Sequence, residues 1–269
     1  MSVQWSLVIF TLLTGMAGWM LVCVAVSECR KEALQANSIA AITAIVLAII
    51  GGLASVTHLA HPEHMLGVLS HPTEGIFLEA LLTGMVILFA ALYLVALRRG
   101  AEMSMRRILA ILAALFGALL SFAAGKSYMM EAIPTWNTCF LPLGYLGTAI
   151  PAGIASYILV LTRKDKSFDQ LSTIAFFGRL LLVGGVISAA TSACYLIVAA
   201  QGQIFLSLCI VVLAGIVPAI CGWLIVKQPK RAFGFAFVAL ISALAGGLAY
   251  RACMWLVYDK AINLFKLGL

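Results

Sequence analysis

Charge is scarce in this sequence. Only 10% of the residues are Asp, Glu, Lys or Arg, whereas a soluble domain carries about a quarter, so a water-facing surface over the whole chain is excluded. Histidine is scarcer still, with four in all: His58, His61, His64 and His71. The seven cysteines contain no C-x-x-C pair. Without clustered thiolates the chain has no ligand set for an iron–sulfur centre or a structural zinc, and most of the cysteines read as small apolar side chains in helices. Ten-residue strands of alternating polarity are missing, which excludes a membrane β-barrel.

What is there is apolar. Hydrophobic residues make up 64% of the chain and the mean hydropathy is +1.11. Stretches long enough to span a bilayer as helices fall at approximately 3–27, 38–60, 75–97, 106–128, 144–162, 173–199, 204–226 and 232–257. The gaps between them are too short for a soluble domain. The fold expected is therefore an all-α integral membrane bundle of eight transmembrane helices over 1–269, since closed helices satisfy their own backbone polar groups in lipid. The first segment, MSVQWSLVIF, has no basic leader and no A-x-A site after its apolar run, so it reads as helix 1 rather than a signal peptide.

Lysine and arginine set the orientation. Arg30, Lys31, Arg98, Arg99, Arg106, Arg107, Arg163, Lys164, Lys166, Lys227, Lys230 and Arg231 lie in connections on one side, against Lys126, Lys260 and Lys266 on the other. Both termini are thereby predicted outside. The net charge of +7 is mostly this cytoplasmic collar facing anionic headgroups, and it carries no implication of a nucleic-acid partner. GGLAS (51–55) resembles GGVIS (184–188), and ALLSFAAG (118–125) resembles ALISALAG (239–246), each pair four helices apart. A parallel 4 + 4 duplication, about 1–128 and 144–257, would explain this; so would the recurrence of small residues wherever membrane helices approach closely.

An ionisable side chain inside a spanning helix costs roughly 2.5–3.5 kcal/mol at the bilayer centre, which makes each one a functional candidate. These are His58, Glu79, Lys126, Arg179 and Arg251. His58 ends helix 2, Glu79 lies about one turn into helix 3, Lys126 ends helix 4, and Arg251 lies in the outer part of helix 8. At about 1.5 Å rise per residue these four share the outer headgroup depth, two bases beside two cations. His61 shares a face with His58 until Pro62 ends the helix. Histidine titrates near neutrality, and a histidine–carboxylate pair suits proton uptake from a hydroxyl. The abundant lipid-soluble molecule with two such hydroxyls is a quinol. Plainer alternatives stand beside this reading: headgroup-wetted histidines, a snorkelling Arg251, solvated loop positions for His64, His71, Glu63 and Glu74, and a place for Arg179 in the basic collar.

A haem b between helices needs histidines on two of them, and all four lie within 58–71, so no haem is expected. A zinc site of His58, His61 and His64 has suitable ligand types, but Pro62 breaks the shared face. In KSYMMEAIPTWNTCFLPLGY (126–145), Pro134 and Pro142 are expected to stop helix continuation. Tyr128, Trp136 and Tyr145 carry rings suited to the interface, to a docking surface or to a pocket rim.

In LVIFTLL, ASVTHLAHP, FLEALLTG, KSY, IPTW, LPLGY and AGGLAYR, in this order and spacing, the chain resembles the membrane-anchor subunits of dimethyl sulfoxide reductase. The resemblance implies a complex in the bacterial cytoplasmic membrane with a molybdopterin catalytic subunit and an iron–sulfur subunit of four cubane clusters. It implies that the anchor binds and oxidises menaquinol in anaerobic respiration and holds no haem, iron–sulfur cluster or metal itself. His58 and Glu79 fall on the histidine and glutamate that the family uses for menaquinol. Lys126 stands where other members have an arginine, and His61, His64 and His71 depart from the family pattern. The site expected comprises His58 and Glu79 as bases, with His61, Lys126, Tyr128 and Arg251 around the quinol. His64, His71 and Trp136 are expected toward the docked partner. A solute or proton transporter is the rival reading from another class, and a purely structural anchor is the third.

Overall fold

The computed structural model describes residues 3–31, 34–57, 75–164 and 170–266. Among these residues there is no strand, and the helices are α1 (Trp5–Arg30), α2 (Leu34–Val56), α3 (Gly75–Arg98), α4 (Met103–Lys126), α5 (Phe140–Lys164), α6 (Gln170–Ala199), α7 (Ile204–Val211), α8 (Val217–Lys227) and α9 (Ala232–Lys266). A π turn, Val212–Ile216, joins α7 to α8, so these two form one span. Eight stretches are long and apolar enough to cross a membrane. They fall close to the expected positions. The fifth begins earlier, at Phe140, so Pro142 does not stop that helix but lies in its first turn. The N–H that proline lacks would have no acceptor within the helix there.

Each group of four spans closes on itself. The helix α1 packs against α2 and α4, and α3 bridges α2 and α4; likewise α5 packs against α6 and α9, and α8 bridges α6 and α9. The groups meet where α5 lies against α1 and α4. Accordingly 72% of the spanning window of α1 and 78% of that of α5 are buried, against 28% for the peripheral α2.

Small side chains make this closeness possible. Ala36, Ala40, Ala44 and Ala48 recur every four residues along one face of α2 and are wholly buried. A Cβ on Gly18 of α1 would fall 2.5 Å from the carbonyl oxygen of Gly117 in α4, so the two backbones touch. The outward faces carry apolar side chains such as Leu53, Val186, Ile204 and Phe205, as hydrocarbon surroundings require.

The π turn has an identifiable cause. Val217 N–H bonds to Val212 O, and Pro218 has no N–H to offer, which leaves the carbonyls of Leu213 and Ala214 short of their usual donors. Hydroxyls from neighbouring helices replace them: Ser242 donates to Leu213 O at 2.7 Å and Ser188 to Ala214 O at 2.8 Å. A proline in a membrane helix is thus accommodated without an unsatisfied carbonyl.

At the end bearing the basic connections lies a polar knot. Glu28 of α1 is 1% exposed and accepts from the Tyr93 hydroxyl at 2.6 Å through Oε1, while its carbonyl oxygen accepts from Arg107 Nε at 3.3 Å. Tyr157 donates to Asn37 Oδ1 at 2.7 Å beside it. Arg30 lies over the Phe176 ring and Arg163 over that of Phe233.

Candidate functional site

The opposite end holds Glu79. Gly75 opens α3, and a Cβ there would fall 2.5 Å from Ser127 Cβ, so the start of α3 and the end of α4 are in direct contact. One turn further, ~6 Å along the axis, the half-buried Glu79 turns toward the same residue. The Ser127 hydroxyl donates to Glu79 Oε1. It also has Ala123 O at 3.2 Å and Ala124 O at 3.1 Å, so one hydroxyl proton faces three acceptors.

Beyond Ser127 the chain enters an aromatic cluster. Tyr128 lies 6.0 Å from the rings of Trp136 and Trp255 and 5.8 Å from that of Tyr145, centroid to centroid. Trp136 and Trp255 meet edge-on at 5.1 Å, an arrangement that aromatic quadrupoles favour. Trp136 Nε1 donates to Met254 O at 3.0 Å, tying the α4–α5 connection to α9. Tyr250 continues the cluster to Tyr195 and donates to Leu141 O. Burial, first, and then the neighbouring Tyr145 and Glu79 push the Tyr128 phenol well above its ordinary range, so it stays a neutral donor.

Arg251 sits beneath these rings. It is 1% exposed, ~10 Å along α9 from Tyr258. Its Nε donates to Thr11 Oγ1 at 3.0 Å, Nη1 to Thr148 Oγ1 at 3.1 Å and to Gly247 O at 3.0 Å, and Nη2 to Thr11 O at 3.4 Å. Thr11 and Thr148 direct their own protons to Leu7 O and Gly144 O, which leaves lone pairs for the guanidinium. Small residues make the room. A Cβ on Gly15 would meet Ala149, and one on Gly247 would lie 3.4 Å from Nη1. Tyr128 and Tyr145 both lie within electrostatic reach of Glu79 and of Arg251.

Of the residues expected from the sequence, Glu79, Tyr128 and Arg251 are thus brought together through Ser127 and Tyr145. Arg251 is enclosed rather than snorkelling. Lys126 is exposed at the end of α4, with no hydrogen bond from its ammonium among the described residues. Trp136 is 3% exposed and faces inward, and Tyr145 is likewise buried rather than at the interface. Arg179 is exposed on α6. His58, His61, His64 and His71 lie outside the described residues, and their expected roles go with them.

Two residues escaped sequence reasoning. Ser127 lies 48 positions from Glu79 in the chain, and no local periodicity links them. Glu28 fell one residue beyond a span drawn to 27, although α1 continues to Arg30. Three cysteines, Cys29, Cys139 and Cys194, are exposed rather than buried. An almost entirely apolar groove of about 400 Å³ between α6 and α8, bounded by Leu182, Val186, Ala189, Ile220 and Trp223, shares no residue with the Glu79 cluster and offers no acid–base group.

No individual curated protein matches the sequence. The family model described as "DMSO reductase anchor subunit (DmsC)" matches residues 1–265, nearly the whole chain, and the protein belongs to that family of membrane anchors.

Proposed function

We propose that this anchor binds menaquinol at its outer rim, takes the hydroxyl protons at Glu79 and His58, and passes electrons singly to an iron–sulfur subunit docked there. The observation that carries the reading is Glu79: a half-buried carboxylate just inside α3, held by Ser127 and within electrostatic reach of the Tyr128 and Tyr145 hydroxyls. Family membership supports the partners, an iron–sulfur subunit and a molybdopterin catalytic subunit.

In this scheme Glu79 accepts one proton by general base catalysis and His58 the other, with His61 relaying to water. Tyr128 offers its hydroxyl to a quinone oxygen, and the exposed Lys126 closes the rim. Arg251 stabilises negative charge developing on that oxygen from beneath, through the low-dielectric aromatic layer. His64, His71 and the 129–143 connection, which Trp136 pins to α9, form the docking side. Both termini lie outside the bacterial cytoplasmic membrane, an orientation supported by the lysine and arginine asymmetry and by Arg30 and Arg163 stacked at the opposite end. Protons and electrons then leave on the same side.

Replacement of Glu79 by Gln tests this in the assembled complex. Quinol-dependent reduction should be lost while the three subunits still co-purify. Near-normal turnover in that variant removes Glu79 from the mechanism.

A further inference from the structure

We infer that Ser127 is the positioning residue for Glu79: its hydroxyl occupies Oε1, so that Oε2 is the atom left to take the quinol proton. The inference rests on the reading of Glu79 as the base and adds the device that aims it.

Three observations carry it. The first is the hydrogen bond itself, from Ser127 Oγ to Glu79 Oε1. A carboxylate has two oxygens of equal basicity until a donor distinguishes them, and this donor marks one as spoken for. The second is the backbone bond from Ser127 N–H to Ala123 O at 2.9 Å. It fixes the serine at the end of α4 and leaves the hydroxyl proton for Glu79, so the serine cannot follow Glu79 about and the carboxylate must come to it. The third is Gly75. Only a residue without a Cβ lets the first turn of α3 rest on Ser127 Cβ, and that contact fixes where Glu79, one turn later, meets the hydroxyl.

The proton step balances within this frame. A quinol O–H bond breaks, an Oε2–H bond forms on Glu79, and Oε1 becomes the carbonyl oxygen that continues to accept from Ser127. The serine keeps its own proton throughout. A base held in one orientation spends less of each encounter misaligned, which is a gain in turnover and not in affinity.

The test is steady-state kinetics with a soluble menaquinol analogue on the purified complex. Ser127→Ala should lower kcat about tenfold and leave KM within twofold, because loss of one hydroxyl keeps the other quinol contacts while the base loses its aim. Gly75→Ala, which retains the hydroxyl but pushes Ser127 away, should reproduce that kcat loss and supplies a second reading if the alanine variant assembles poorly. An unchanged kcat in both variants overturns the inference, as does a loss confined to KM. Glu79→Gln separates the two levels. If it is inactive while Ser127→Ala turns over normally, only the positioning role falls; if it turns over normally, the base assignment itself falls.

Discussion

The guanidinium carbon of Arg251 lies 4.7 Å from the centroid of the Tyr145 ring, and every hydrogen bond the side chain makes ends on a neutral oxygen. A cation so placed, with an aromatic face in place of a carboxylate, keeps its field largely unneutralised. That field reaches the Tyr128 and Tyr145 hydroxyls.

Arg251→Met should therefore leave a folded, assembled anchor, because Thr11 and Thr148 retain their backbone acceptors and are not orphaned. Quinol turnover should fall. A unit charge acting over ~10 Å at an effective dielectric of about 20 is worth about 1.7 kcal/mol, roughly tenfold to twentyfold in a rate. Arg251→Lys should recover only part of this, since an ammonium cannot reach Thr11, Thr148 and Gly247 together. Wild-type kinetics in the methionine variant would show the charge to be irrelevant to the reaction.

Tyr93→Phe probes the opposite end. Glu28 would lose its buried donor, at a cost of about 1–3 kcal/mol, visible as earlier thermal unfolding of the detergent-solubilised complex. Glu28→Gln, which keeps a carbonyl acceptor for the phenol, should cost less. Turnover per assembled complex should stay unchanged in both, because neither residue belongs to the rim.

Ser188→Ala should destabilise by ~0.6 kcal/mol and at most about 1.7, the range for hydrogen bonds between membrane helices. In a Pro218→Ala background the penalty should shrink, since an N–H at 218 can serve the Ala214 carbonyl from within the helix. Equal penalties in both backgrounds would break the link between the proline and the serine. Thermal unfolding of the four variants measures the cycle.

The number and placement of the spans were legible because hydropathy over ~20 residues is a local property, and lipid permits few alternatives. Glu79 and Arg251 were legible for the same reason, as ionisable groups where they are costly. What joins them was not. The approach of Ser127 to Glu79 depends on how α3 crosses α4, and the enclosure of Arg251 depends on Gly15, Gly247 and two threonines from three different helices. Such facts belong to packing. Pro142 was misjudged because a proline reads alike at the end of one helix and in the first turn of the next. Trp136 and Tyr145 are buried rather than at the interface, an outcome the sequence left open because amphipathic rings suit a headgroup layer and a buried polar cluster equally.

Orientation can be read from native thiols. Cys29 at one end of α1 and Cys139 in the α4–α5 connection are both exposed. In single-cysteine variants of the anchor in membranes without its partners, a membrane-impermeant maleimide should label Cys139 in right-side-out vesicles and Cys29 only in inverted ones. The reverse pattern would place the Glu79 rim in the cytoplasm.

The serine pair at the π turn also constrains how the protein is made. Ser188 precedes the seventh span along the chain, whereas Ser242 is synthesised after it. As the ribosome delivers the spans in turn, Ala214 finds its donor already present, while Leu213 must wait for α9 to arrive. A nascent chain stopped before residue 242 would hold a bare carbonyl in hydrocarbon. The eighth span thus completes the seventh during biogenesis, and truncations between them should be retained by the insertion machinery or handed to membrane proteases.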